Sequence, residues 1–208
     1  MYSQKEHPFE NLNFINITSD SNNEIFEQEV LKFKNDELSE IAMIKEEILV
    51  ASKFRDLKKL ILLLNRRIEI EGESPDLLYQ LGGTYGILAF KKKNFFSITY
   101  LNEMLECFSK ALDLDPTHVP TLEAYIDVLY SLPKILGGDK KKASRLAEKL
   151  TQISKINGFL SLATIYFKNE NNKMSKFYLN AFFQELSRLY ICKSEELIKF
   201  YSKQSNNF

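Results

Sequence analysis

The chain contains no tryptophan, only two histidines and two cysteines, and no excess of charge of either sign. Each shortage removes a class of function. With 28 Lys and Arg against 28 Asp and Glu, no global field draws the chain to nucleic acid or anionic lipid, and any such contact would need a local patch. Cys107 and Cys192 are far apart and belong to no paired spacing. They imply neither a zinc site nor a disulfide framework, and both are expected to be buried thiols on helix faces. His7 lies in a polar stretch and His118 at a predicted helix start. Neither has a second histidine beside it to share a metal, and His118 reads as a surface or capping residue.

Long apolar runs are missing too. The longest, Leu60 to Leu64, is far too short to span a bilayer. The first twenty-odd residues hold no apolar segment of the kind a signal peptide needs, so a cytoplasmic chain is expected, or an exported, periplasmic one if a signal has been removed. Gly82-Gly83 and Gly137-Gly138 lack the Lys-Ser or Lys-Thr and the preceding strand of a phosphate loop. The acid pairs Glu46-Glu47, Asp113-Asp115 and Glu195-Glu196 lie among lysines and read as solvated, helix-supporting charge. No constellation supports catalysis, a metal or a cofactor, and the chain is not expected to be an enzyme.

The scarcity of glycine and proline, 7 and 5 residues, has a positive meaning. Nearly all of them fall between apolar periodic runs, as in an all-α protein with short connections. Residues 1–22 are polar and aperiodic, a tail expected to be disordered or to strap the core. From Asn23 a helical stripe of Ile25, Phe26, Val30, Leu31 and Phe33 predicts an extra N-terminal helix. Asn35 is the expected cap of the next helix, which carries Ile41, Ile44 and Ile48. Its partner from about Asp56 presents Leu57, Ile61 and Leu64. Gly72 ends that helix, and Ser74-Pro75-Asp76 starts another with a cap, a proline at the first helical position and an acid at the positive end.

Within residues 75–116, Leu81, Gly82 and Tyr85 lie on a first helix, and Met104, Phe108, Ala111 and Pro116 follow on and after a second. This pattern resembles the tetratricopeptide repeat, with Leu78 where that family usually has Trp. The interval from Tyr85 to Met104 is about ten residues longer than a standard repeat of ~34 residues, the extra material being Lys91 to Phe96 and its flanks, either a loop or extra helical turns. A third unit, 117–154, carries Leu122, Tyr125 and Leu129, then Ala143, Ala147 and Leu150. Its Pro133, Gly137-Gly138 and Asp139 resemble a connection in bacterial members of the family. A last unit, 156–190, carries Phe159, Leu162, Ala163 and Tyr166, then Ser175, Leu179 and Phe182. Residues 38–71 read as a degenerate repeat, and Ser194-Glu195-Glu196 as the start of a capping helix over 193–204, with Leu197, Ile198 and Tyr201 covering the last apolar face.

The resemblance implies a right-handed α-solenoid of helix pairs spanning 23–208, a non-catalytic scaffold that binds a protein or peptide in its concave groove. In the family's register the groove would present Tyr79, Gly83 and Gly86, then Glu123, Asp127 and Tyr130, then Thr164, Phe167 and Lys168. That surface is aromatic with an acidic middle and lacks the Lys and Asn clamp that repeats of this kind use for acidic carboxyl tails. An apolar or mildly basic peptide is the expected partner, with no nucleic acid and no membrane contact. Two other roles fit the same residues: a structural subunit whose groove is filled by its own tail, or a peripheral membrane adaptor using Lys91 to Phe96.

Overall fold

The computed structural model describes residues 40–91 and 96–205. The polar tail, the helix expected from Asn23, the Asn35 cap and the center of the Lys91 to Phe96 insertion lie outside them, as do the side chains of Cys192, Leu197, Ile198 and Tyr201. The described residues form eight α-helices: α1 Glu40–Lys53, α2 Leu57–Glu71, α3 Pro75–Lys91, α4 Phe96–Leu114, α5 Val119–Ser131, α6 Lys140–Ile153, α7 Lys155–Lys168 and α8 Asn172–Ser205. Among those residues there is no strand, and the protein is all-α with sequence-adjacent helices packed on one another.

Local chemistry sets the helix starts. The Asp56 carboxylate accepts from the Lys59 amide at 3.1 Å, the Ser74 hydroxyl from the Leu77 amide at 3.3 Å, and the Asp139 carboxylate from the Lys142 amide at 2.9 Å. Each satisfies an amide that the first helical turn leaves without a partner. The extra residues between Tyr85 and Met104 are taken up largely as helix, for α3 continues to Lys91 and α4 already begins at Phe96. After α5 the chain makes a short 3-10 turn, Lys134–Leu136, and Gly137 follows in the left-handed region at φ 88°. A side chain there would be strained, and its Cβ would also lie 2.5 Å from Leu105 Cδ1.

The chain divides into two compact units. The first comprises the described residues up to Tyr125 together with Pro133–Gly137, and the second Ile126–Leu132 and the chain from Gly138 onward. In the first, α1 packs on α2, α2 on α3 and α3 on α4. Its core joins Ile44, Ile48, Leu60, Leu64 and Leu81 with Cys107. Gly82 lets α4 approach α3 closely, for a Cβ there would lie 2.8 Å from the Phe108 ring. Tyr85 stacks on Tyr100 beside it, with ring centers 6.1 Å apart. In the second unit α6 packs on α7 and α7 on α8. Ala143, Ala147 and Leu150, three and four residues apart, are completely buried on one face of α6.

One expected boundary is absent. Ser194 does not start a separate capping helix, because α8 runs unbroken from Asn172 to Ser205. Ser-Glu-Glu is a good helix start, but no glycine or proline lies between residues 172 and 205 to end the helix already under way.

Burial pushes the Cys107 thiol up to about 12, with the charges of Glu103 and Glu106 adding to the shift and Lys110 opposing it. A thiolate is the reactive form. In a chain with Cys192→Ser, Cys107 is therefore expected to resist a maleimide at pH 8 and to react fully once the protein is unfolded. Labelling of the folded protein at the unfolded rate would show that Cys107 is not in the core. Because the folded value lies above the ordinary 9.0, the stability tied to this proton is complete below about pH 9 and declines as the pH rises toward 12.

Candidate functional site

The residues expected to line a groove fall into both units. In the first, α3 presents Tyr79 and, one turn on, Gly83, while the start of α5 supplies Glu123. Tyr79 is half-buried between two rings, stacked on Phe108 at 6.2 Å and edge-on to His118 at 6.0 Å. Its phenol is raised above its ordinary pKa by burial and by the charge of Glu123, so these two side chains share one neighborhood. Gly83 is buried, yet a Cβ on it would meet nothing within 4 Å, which marks open space beside that turn of α3. His118 holds the wall in place. Its Nδ1 is 2.7 Å from the Thr121 hydroxyl and its Nε2 3.2 Å from the Asp76 carboxylate, so it links the starts of α3 and α5.

In the second unit Asp127, Tyr130 and Lys168 are brought together, and all three are engaged internally. Asp127 of α5 accepts from the Lys168 ammonium of α7 at 2.6 Å, and Lys168 also donates to the Ser131 hydroxyl at 3.1 Å. The acidic middle foreseen from Asp127 is thus offset by a cation of the same chain. Tyr130 is only 5% exposed. Its hydroxyl donates to the Asn169 side-chain oxygen, and the ammonium groups of Lys140 and Lys168 lie 4.9 and 5.6 Å from its ring center. It is a packed ring and does not stand free as a contact point. Thr164 is exposed and donates its hydroxyl to the Leu160 carbonyl at 2.9 Å. Phe167 stands out at 68% exposure, which settles it as a surface ring.

A larger apolar surface lies on α8. Ser175, Leu179, Phe182, Leu186 and Leu189 recur every three or four residues and form one stripe. The first three are buried or half-buried, the last two exposed. Length explains the change: α7 has 14 residues and α8 has 34, about 21 Å against about 51 Å. The stripe runs out from under α7. Beside it Phe183 is 55% and Tyr190 79% exposed, while Phe177 and Ile191, each more than half exposed, lie on the opposite face of the helix. The sequence pattern contains this stripe, and the capping helix expected over 193–204 would have covered it. Ring contacts tie the covered half together, with Tyr166 of α7 stacked on Tyr178 of α8 at 5.5 Å.

Among the described residues no group of three or more His, Cys, Asp or Glu side chains could hold a metal ion, and no helix is long and apolar enough to cross a membrane. No protein-family model matches the chain, and no curated protein matches it either.

Proposed function

We propose that this chain is a non-catalytic interaction module built of tetratricopeptide-type helix pairs in a right-handed solenoid, and that it binds a protein partner through an apolar, helical segment. The observation that carries this reading is the α8 stripe, which continues past α7 with Leu186 and Leu189 exposed and Tyr190 beside them. Each such side chain that a partner covers contributes on the order of 1.5–3 kcal/mol. Clusters of exposed large apolar residues of this kind mark interaction surfaces, and an amphipathic helix laid along the stripe matches its three-and-four spacing. The wall of Tyr79, Glu123 and the open space at Gly83 is the second surface for the same work, and Phe167 the third.

Affinity capture from native lysate tests this with three chains: wild type, Leu186→Glu/Tyr190→Glu, and Tyr79→Ala/Glu123→Lys. The α8 substitutions lie at exposed positions, so circular dichroism and Tm should match wild type. The expected result is a protein recovered by wild type and reduced tenfold or more by the α8 variant. Loss only with the Tyr79 and Glu123 variant would move the working surface to α3 and α5. Recovery indifferent to both variants, or no specific recovery, would overturn the reading.

A further inference from the structure

The second unit contains a cleft that the interaction reading does not use. Tyr130, Lys140, Lys141, Ser144, Arg145 and Asn169 line an open cavity of about 420 Å³. Lys140, Lys141 and Arg145 are exposed, and among the described residues none of the three takes part in an ion pair. From this geometry we propose that the cleft binds an extended acidic peptide segment carrying carboxylates at alternate positions.

Three observations support it. The first is adverse electrostatics: Lys140, Lys141 and Lys142 occupy the first turn of α6, which holds no acid. Cations at the positive end of a helix are destabilising, and a bound anion would relieve that cost. Asp139 caps this end of the helix. Its carboxyl is held below the usual range by the Lys142 amide, and Arg145 and Lys142 add to the effect. It offsets part of the charge of Arg145 and Lys142, while Lys140 and Lys141 make no ion pair among the described residues. The second is arrangement. Lys141 and Arg145, and Lys140 and Ser144, are neighbors four residues apart on the helix surface. Same-side residues of an extended chain recur about every 7 Å, close to one helical turn of about 5.4 Å. The third is the floor. Tyr130 is held by its bond to Asn169 with the Lys140 ammonium over its ring, so that cation is positioned before any ligand arrives.

The cleft offers too few cations for a nucleic acid, whose affinity rests on many phosphate contacts along a stripe, and it is larger than a single inorganic phosphate needs. An acidic peptide fits both its size and its charge. The proposal is independent of the α8 surface and shares no residue with it.

Fluorescence anisotropy with a fluorescein-labelled (Glu-Ser)4 peptide at low ionic strength is the test, with (Lys-Ser)4 as the counter-probe. Wild type should bind the acidic peptide, and Lys141→Glu/Arg145→Glu should weaken binding tenfold or more. Lys173→Glu/Lys176→Glu changes net charge equally on α8 and should stay within twofold. The cleft variant should also keep or raise its Tm, because an acid replaces a cation in the first turn of α6. The proposal is overturned by absent binding, by equal loss in the control variant, or by a fall in Tm that accompanies the loss. Displacement of the peptide by submillimolar inorganic phosphate would assign the cleft to phosphate and overturn it equally.

Discussion

Replacing Phe108 by alanine should cost about 3–5 kcal/mol, a fall in Tm of roughly 6–20 °C for a chain of this size. Phe108 is the largest of the completely buried side chains. It touches two other elements of the first unit: Tyr79 of α3 stacks on it at 6.2 Å and Gly82 of the same helix leaves the space its ring occupies, while Tyr125 of α5 meets it edge-on at 6.1 Å. Truncation removes the transfer energy of the ring and leaves a cavity that α3 and α5 close only in part. Thermal unfolding and urea titration measure the loss. A double-mutant cycle adds a sharper signature. Gly82→Ala pushes a Cβ to within 2.8 Å of the ring and should cost about 1–3 kcal/mol. In a Phe108→Leu background the same substitution should be much milder, because the smaller side chain leaves room. Additive effects, or a Phe108→Ala cost below about 1 kcal/mol, would mean that the ring does not join these helices.

The contact of Gly82 with Phe108 is among the features legible in the sequence. Gly82 and Phe108 were legible because a glycine on one helix face and a large ring on the apolar face of the next suit a close approach of two helices, even across a longer interval than the repeat they resemble. Helix starts were legible at Asp56, Ser74 and Asp139 because capping is local chemistry, decided within three residues. Buried faces were legible at Leu122, Ala143, Ala147 and Leu150, where apolar residues repeat with the helical period.

What escaped the sequence depends on distance or on termination. Asp127 and Lys168 are 41 residues apart, and nothing in either neighborhood indicates that one offsets the other. Lys140, Lys141 and Arg145 were visible only as a basic run after a helix connection, while the cleft they line also needs Tyr130 and Asn169 from other segments. At Ser194 a local start signal was outweighed by the absence of any stop signal before it. A separate helix over 193–204 would have covered the last apolar stripe, whereas the unbroken α8 leaves Leu186 and Leu189 exposed.

The second large effect is expected at Gly158, and it has the opposite sign from what local propensity gives. In a helix interior glycine is about 1 kcal/mol worse than alanine, so Gly158→Ala would ordinarily stabilise α7. Here the added Cβ would lie 2.4 Å from the Thr151 amide nitrogen and 2.5 Å from its Cα. Those are backbone atoms in the last turn of α6, and no rotamer change can move them aside. α6 and α7 must separate, at an expected cost of about 3 kcal/mol. Gly83→Ala is the matched control, since its Cβ enters open space and the substitution should be neutral or gain up to about 1 kcal/mol. Denaturation midpoints of the two variants should therefore move in opposite directions. A mild Gly158→Ala would show that α6 and α7 are not in backbone contact. The consequence reaches the proposed binding surfaces, because α7 supplies Phe167, the Lys168 that pairs with Asp127, and the cover under which the α8 stripe begins. Displacing α7 should then weaken partner capture as well as the fold, while Gly83→Ala leaves capture through α8 intact.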